Sequence, residues 1–597
     1  MKKLIKVSDY VVKFLERKKI TNVFTVSGGG SIFLCDALYK SKKIKYISHH
    51  HEQAASFAAE SYARTKNAVG CCLVTTGPGG TNALTGAACA WIDSIPVFFI
   101  SGQVFLEQTI QKSNKRQIGV QEIDIISMAK SVTKFSKMIT KAETVGYYLE
   151  MAYQESMHGR PGPVWIDIPA DIQNAFIDEK KIEKYTPPKM KIKNIDSAIN
   201  KIAKKLKLSK NPVIHLGGGV RLSRAGNLLK NFFKKNKIPF ILTWNADDLI
   251  GSEHKLYAGK AGAFGERGSN FIIQNCDFYL SIGTRLPYMV TGYNAKDFAK
   301  KAKFKAMVDI DKNELKKNDL HLDLVVESDA SIFIKKLFSK LKNYESNPEW
   351  LKYCQNVRLK YPTLIPQMIN EKKYVNSYYF IKKLSLHSKK NDSIITDMGF
   401  SFTTSHQALD LKEGQTFFTN SGHAPMGWGL PAAIGNYYAN KNKKNKKNLI
   451  CLSGEGGFQM NIQELATIMH NQIPVKIFIF NNGGYLTIKQ TQELGFGGRI
   501  MGADKSSGLS FPNYKKISES HKIKYFKICN HAELNKQMGR IMNYKGALLC
   551  ELMMNPNEEQ IPKAINRRSA EGKSVPTNFD DMYPFLPKEE LVSNEYS

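Results

Sequence analysis

The chain has 597 residues, 42% of them hydrophobic and 23% charged, the profile of a globular protein and not of a disordered, collagen-like or coiled-coil one. Its length suits three or four domains, each with its own core. Charge is the outlier: 86 Lys+Arg stand against 53 Asp+Glu, a formal net charge of +33. The lysines are spread over the whole chain, as in residues 441–448, without an arginine-rich arm, zinc-finger spacing or aromatic-basic signature, so nucleic acid is not the expected partner.

Short apolar runs, each followed by a small-residue turn and a helical pattern, recur along the chain. Residues 22–26 run into Ser27-Gly28-Gly29-Gly30, and Cys72-Leu73-Val74-Thr75-Thr76 runs into Gly77-Pro78-Gly79-Gly80 and a small-residue helix over about 81–91. A further apolar run follows at 97–100. This alternation predicts parallel α/β sheets with ligands at the carboxyl ends of the strands. After Arg160-Pro161-Gly162-Pro163 and the basic stretch 184–193, a second block carries strands at 212–216, 240–242, 278–282 and 304–310. A third opens near Ile394, with buried strands at 449–452, 475–480 and 548–552. Residues 556–597 are polar and weakly periodic and read as a surface tail. The expected fold is three doubly wound parallel-sheet α/β domains, at 1–175, 194–345 and 370–555, followed by the tail 556–597. The nine cysteines form no Cys-x-x-Cys pair and several sit in apolar runs, so they read as buried thiols of a reducing compartment. No apolar run reaches the ~20 residues of a membrane span, and a cytoplasmic location without a membrane partner is expected.

Two strand ends carry the chemistry. Gly454-Glu455-Gly456 follows the strand 449–452, and Asn481-Asn482 follows 475–480. The 27 positions from Glu455 to Asn482 are the length of one helix plus one strand, so two oxygen ligands meet at one sheet edge. Such a pair can hold one hard divalent cation: Mg²⁺ takes few carboxylates and amides and completes its octahedron with phosphates and water.

This arrangement resembles the diphosphate–metal motif of thiamine diphosphate enzymes. The resemblance extends over about residues 7–552 and is closest to the acetolactate synthase group. It is carried by His51-Glu52-Gln53-Ala54-Ala55, Thr75-Thr76-Gly77-Pro78-Gly79-Gly80-Thr81-Asn82, Arg160-Pro161-Gly162-Pro163-Val164-Trp165-Ile166-Asp167-Ile168-Pro169 and Met426-Gly427-Trp428-Gly429-Leu430-Pro431, together with Gly454-Glu455-Gly456. It implies pyrimidine-binding, central and diphosphate-binding domains, with thiamine diphosphate and Mg²⁺ as cofactors. A 2-oxo acid, most simply pyruvate, would lose CO₂ and pass its two-carbon unit to an acceptor carbonyl.

The resemblance assigns Glu52 the carboxyl that hydrogen-bonds the cofactor's pyrimidine nitrogen, and Met426 the apolar wedge that keeps the cofactor bent. It gives the Ala424 carbonyl a bond to the amino group, although glycine usually stands there. Glu455, Asn482 and the Gly484 carbonyl would form the metal shell, with Glu455 where the family usually has Asp. Further cofactor contacts fall at Gly28, Thr76, Pro78 and Asn82, and at Gly454, Gly456, Gly457, Tyr485 and Leu486. Gln121 and His423 are candidates for groups facing the reacting substrate. A homodimer or homotetramer is implied, because in this group Glu52 of one subunit meets the cofactor held by another.

The departures concern the acceptor. The family's second arginine after Ile282-Gly283-Thr284-Arg285 is Met289, its acceptor-selecting tryptophan after Gln490 is Thr491, the Phe before Gln121 is Val120, and the Lys after Pro169 is Ala170. Met cannot replace a planar Arg–carboxylate fork. These smaller, uncharged replacements therefore favour a bulkier acceptor carbonyl, a keto-sugar (including a nucleotide-linked one) or an aldehyde. True acetolactate synthase is the near alternative, and a non-catalytic cofactor-binding protein the distant one. Arg160, Gly217, Gly218, Arg285 and Asp309 stand where flavin-binding members contact FAD, whereas Trp244-Asn245-Ala246-Asp247 replaces the Gly-rich loop that normally lies along it. FAD is left open. The positive charge suits a small anionic substrate.

Overall fold

A computed structural model of the chain describes residues 4–110, 113–188, 193–441, 448–568, 573–575 and 577–596. Residues 442–447 of the lysine run and 189–192 of the basic linker lie outside the described residues. The apolar runs become the middle strands of three six-stranded sheets in which every pairing is parallel.

The first sheet is built from β1 (Asn22–Thr25), β2 (Lys45–Ser48), β3 (Gly70–Val74), β4 (Val97–Gln103), β5 (Phe135–Met138) and β6 (Val164–Pro169), in the order β2-β1-β3-β4-β6-β5. The central sheet holds β7 (Pro212–Leu216), β8 (Phe240–Leu242), β9 (Tyr257–Lys260), β10 (Phe278–Ile282), β11 (Phe304–Asp309) and β12 (Leu324–Glu327), in the order β9-β8-β7-β10-β11-β12. The third comprises β13 (Ser393–Thr396), β14 (Thr416–Phe418), β15 (Leu449–Gly454), β16 (Val475–Asn481), β17 (Lys524–Ile528) and β18 (Leu548–Met553), in the order β14-β13-β15-β16-β18-β17. The outer sheets share one topology and the central sheet has the other common doubly wound order. In each, the strand order reverses beside the first strand: between β1 and β3, between β7 and β10, and between β13 and β15. Ligands of open α/β sheets bind at such reversals, outside the carboxyl ends of the strands.

Two helices join the first and third domains. The helix α1 (Glu52–Lys66) is followed by α2 (Pro78–Asp93), and α3 (Gly429–Asn440) crosses α1. Small residues allow the close crossing: a Cβ on Gly435 would lie 2.0 Å from the Ala58 carbonyl oxygen, and Ser61 Oγ donates to the Ala432 carbonyl at 2.7 Å. Arg64 on α1 is buried between Glu60 and Asp93, and Trp428 Nε1 donates to Glu60. A buried cation of this kind is tolerable because both its partners are carboxylates.

The C-terminal segment is not a surface tail. Phe579 and Met582 are buried, Arg267 donates to the carbonyls of Met582 and Pro584, and Asn270 donates to that of Phe579. Tyr596 packs on Trp350, 5.2 Å between ring centroids. Phe579 and Met582 anchor the segment on the central domain, and the apolar side chains of residues 556–597 are spaced too widely to give a periodic pattern. Seven cysteines are buried, among them Cys71, whose thiol is pushed up to about 12 by desolvation. Among the described residues no helix is long and apolar enough to cross a membrane.

Candidate active site

The strand-order reversal of the third sheet brings Asp397, just past β13, beside the turn that follows β15. The short helix α4 (Glu455–Met460) starts there. Glu455 is fully buried, and its carboxylate accepts the backbone N–H groups of Gly484 at 2.7 Å and Asn482 at 3.2 Å. Desolvation pushes it up to about 7, against the pull of those N–H donors. Asn482 is 8% exposed, and its Oδ1 has no partner among the described residues. An orphaned amide oxygen beside a buried carboxylate is the donor set of a hard cation. Gly456 and Gly457 leave a groove: a Cβ at either would fall 2.1 Å from the Tyr485 ring or 2.8 Å from the Asp397 carboxyl. The crevice therefore fits a diphosphate with its Mg²⁺, and the extra methylene of Glu455 is accommodated by the amides of residues 482–484.

Asp397 ties this crevice to the segment carrying Met426. Its carboxyl accepts the backbone N–H of Gly427 at 3.0 Å and the Ser453 hydroxyl at 3.1 Å, and burial raises it to about 6. Met426 is half-buried immediately before Gly427. Ala424 has φ +60°, which explains why glycine suits this position. His423 is exposed, and its backbone N–H donates to Asn420 Oδ1 at 3.3 Å. Leu486 is buried at the start of the next helix.

At the first sheet, Glu52 opens α1 and accepts from Asn82 Nδ2 at 2.9 Å. Gly28 faces Thr75, where a Cβ would come within 2.5 Å of the side chain, and Gly30 N–H donates to Thr75 Oγ1 at 3.1 Å. Thr76 is buried and donates to the Gly102 carbonyl, and Pro78 is the first residue of α2. Gln121 is exposed with φ +64°, its carbonyl oxygen 2.3 Å from where a Cβ on Gly77 would lie. The loop carrying it is pinned from beneath: Gln103 Nε2 bonds the Ile123 carbonyl at 3.1 Å and Asp167 at 3.2 Å, and Ser101 donates to Asp167. Burial raises Asp167 to about 7. The two domains also meet through Asn461, whose Nδ2 reaches Gln53 Oε1 at 3.2 Å and the Gly427 carbonyl at 2.8 Å.

Asp167, Asp397 and Asn461 were not singled out by sequence reasoning. For the two acids a signal existed: a lone carboxyl within or closing an apolar strand must be held by donors or neutralised.

The reversal of the central sheet opens into a cavity of about 400 Å³. Arg160, Gly218, Arg285 and Asp309 line it, together with Trp244 and Met289; Gly217 sits behind, closed on the Gly283 carbonyl. Arg160 is already paired with Asp311 at 3.0 Å and Glu314 at 2.9 Å. Of the other departures, Val120 is 84% exposed, Thr491 is exposed and Ala170 is buried.

The chain matches three family models in order. They are the thiamine pyrophosphate enzyme N-terminal TPP binding domain over residues 5–128, the central domain over 199–337 and the C-terminal TPP binding domain over 397–552. It is 32% identical to the acetolactate synthase large subunit of Cyanidium caldarium, covering 94% of this chain and 95% of that protein. It is 33% identical to the probable acetolactate synthase large subunit of Methanocaldococcus jannaschii, with 93% of each covered. Against the acetolactate synthase isozyme 1 large subunit of Escherichia coli (strain K12) the identity is 30%, over 93% of this chain and 95% of that one.

Proposed function

For a chain that belongs to the thiamine pyrophosphate enzymes, in their acetolactate synthase-like family, we propose decarboxylation of pyruvate followed by transfer of its two-carbon unit to a second 2-oxo acid. The observation that carries this reading is the similarity to acetolactate synthase large subunits along more than nine-tenths of the chain. The enzyme class itself, a thiamine diphosphate-dependent decarboxylase and carboligase, rests on the same three domains.

When bound, thiamine diphosphate supplies the carbon nucleophile and electron sink that decarboxylation needs. The chain's own residues do the rest. Glu455, Asn482 and the Gly484 carbonyl hold the metal and diphosphate. Met426 supports the cofactor from the apolar side, and Asp397 fixes the Met426 segment through Gly427. Glu52 holds a proton at the pyrimidine nitrogen, with Asn82 orienting the carboxyl. Gln121 faces the substrate oxygen from the loop that Gln103 and Asp167 anchor. Glu52 on the first domain completes the site of a second subunit, so the working form is a homodimer or homotetramer. The +33 charge favours entry of an anionic substrate, an effect that weakens as salt rises.

Product analysis tests the reading. Acetolactate and CO₂ form from pyruvate alone if it is right; no CO₂ from any small 2-oxo acid with thiamine diphosphate and Mg²⁺ sinks it. Glu52→Gln is expected to lower turnover by roughly 10²–10⁴ with cofactor affinity kept, and retained turnover refutes the role of Glu52. Met289 favours a second reading: a neutral side chain on the wall where the family carries a carboxylate-binding arginine suits an uncharged keto-sugar or aldehyde acceptor. Mixed products from pyruvate plus such an acceptor, in preference to acetolactate, establish it.

A further inference from the structure

The direction of the Glu52 carboxyl is set by the turn that leads into α1. That turn carries three histidines in a row, His49, His50 and His51, between the end of β2 and Glu52. His51 serves the helix itself: its Nδ1 accepts the Gln53 N–H at 3.1 Å and satisfies one of the donors that open the first turn. His50 is exposed. His49 points inward, with its backbone N–H on the Thr25 carbonyl of β1 at 2.9 Å. Its side chain is fully buried, and its Nδ1 lies 2.8 Å from Oε2 of an equally buried Glu464. Because a carboxylate only accepts, Nδ1 carries the proton of this bond.

Glu464 opens α5 (Glu464–His470) in the third domain, 415 positions further along the chain. It spends both carboxyl oxygens on the contact. Oε1 accepts the His50 N–H at 3.0 Å, and Oε2 takes His49 together with the Thr467 hydroxyl at 2.7 Å. Burial alone would raise Glu464, but His49, Thr467 and the His50 N–H outweigh it and leave the carboxyl below its ordinary value. Three residues earlier, Asn461 holds Gln53 on the far side of Glu52 and the Gly427 carbonyl next to Met426. Residues 49, 50 and 53 are thus gripped, around Glu52, by one short segment of another domain.

Docking of the two domains does not call for an imidazole here. The helix α1 is already tied to the third domain further along, by Ser61 on the Ala432 carbonyl and by Trp428 on Glu60. His49 Nε2 has no partner among the described residues, and its ring packs on Phe24 with centroids 5.9 Å apart. Burying a ring with one nitrogen unsatisfied costs free energy that an apolar side chain of similar size would not. A polar group set at that cost three positions before a carboxyl that must be aimed is explained by the aim and not by the packing.

We propose that His49 is a positioning residue for Glu52: with Glu464 it fixes the turn before α1, so that the Glu52 carboxyl keeps the direction its task at the cofactor's pyrimidine needs. The inference rests on the thiamine diphosphate reading above and is independent of which acceptor is used. Displacing an aligned group by about 1 Å can lose about a hundredfold in rate, so loss of one of several restraints is expected to cost about tenfold.

The test uses the full chain with thiamine diphosphate and Mg²⁺. Exchange of the proton on the cofactor's reactive carbon with D₂O, read by NMR after acid quench, reports on Glu52 without any substrate. His49→Leu removes the donor but leaves Glu464 with the His50 N–H and the Thr467 hydroxyl; His49→Met replaces it if the first variant does not fold. Exchange and kcat with pyruvate are expected to fall about tenfold, with KM and calorimetric cofactor affinity within about twofold of wild type. His49→Asn, whose Nδ2 stands where the imidazole Nδ1 stood, restores most of both. In a Glu52→Gln background His49→Leu has no further effect. A purely structural staple gives the opposite pattern: lower Tm and weaker cofactor binding without slower exchange, and losses that add to those of Glu52→Gln. That pattern, unchanged exchange in folded His49→Leu, or no recovery with His49→Asn overturns the proposal. Wild-type protein that exchanges the proton quickly yet releases no CO₂ from any small 2-oxo acid overturns the carboligase reading alone, since the His49 result is still read from exchange. Absence of exchange in the wild type overturns both.

Discussion

The crevice of the third sheet and the cavity of the central sheet occupy equivalent places, each at a strand-order reversal, but they are balanced differently. In the third sheet a buried carboxyl leans on backbone amides while the Asn482 amide oxygen stays without a partner among the described residues, which suits the proposed metal site. Around the cavity of the central sheet three arginines are neutralised by acids of the chain itself, and the buried Trp244 indole forms part of the wall. Position in the topology makes a crevice; the satisfaction of its polar groups decides what it requires.

The largest effect that would break this comparison comes from Glu455→Gln, which is expected to weaken Mg²⁺-dependent thiamine diphosphate binding about a hundredfold or more in calorimetry. Unchanged binding removes Glu455 from the proposed metal site. Next in size, Met289→Arg at the rim of the central cavity is expected to lower KM for a 2-oxo acid acceptor about tenfold, the value of one charge-assisted bond, read from competition between acceptors. An unchanged preference removes Met289 from acceptor selection.

Acid–base behaviour sharpens the contrast. Asp167, raised by burial from 3.8 to about 7, holds its proton in the native state where the unfolded chain has released it. Stability therefore falls as pH rises from about 4 to about 7, and Asp167→Asn removes that slope in urea unfolding followed across the range. Asp311 beside the central cavity behaves oppositely. Burial raises it, but the Asn313 N–H and the Arg160 guanidinium outweigh burial and leave it below its ordinary value. Its contribution is present at neutral pH and lost as pH falls through the depressed value, so Asp311→Asn flattens the acid side only. The smallest effect is expected from Ala424→Gly, which relieves the φ of +60° and stabilises by roughly 0.5–1 kcal/mol, seen as a small rise in Tm. A fall in Tm refutes strain at Ala424.

The sequence made the inner strands readable because each is buried on both faces and so written as a continuous apolar run, as in β4 and β16. The edge strands β2, β5, β12 and β17 mix charged and apolar residues on half-exposed surfaces, and no run marks them. Residues 556–597 misled for a related reason. Their anchors, Phe579 and Met582 among them, gain meaning only against a central domain more than 270 positions earlier. The site divides likewise. Residue types at the strand ends pointed to the proposed diphosphate and metal crevice, since Glu455 and Asn482 belong to one local unit. That Asp397 braces the Met426 segment and that Asp167 anchors the Gln121 loop were decided by tertiary structure. Hydrogen-bond satisfaction depends on which groups the fold brings within 3 Å, and separation along the chain does not encode that.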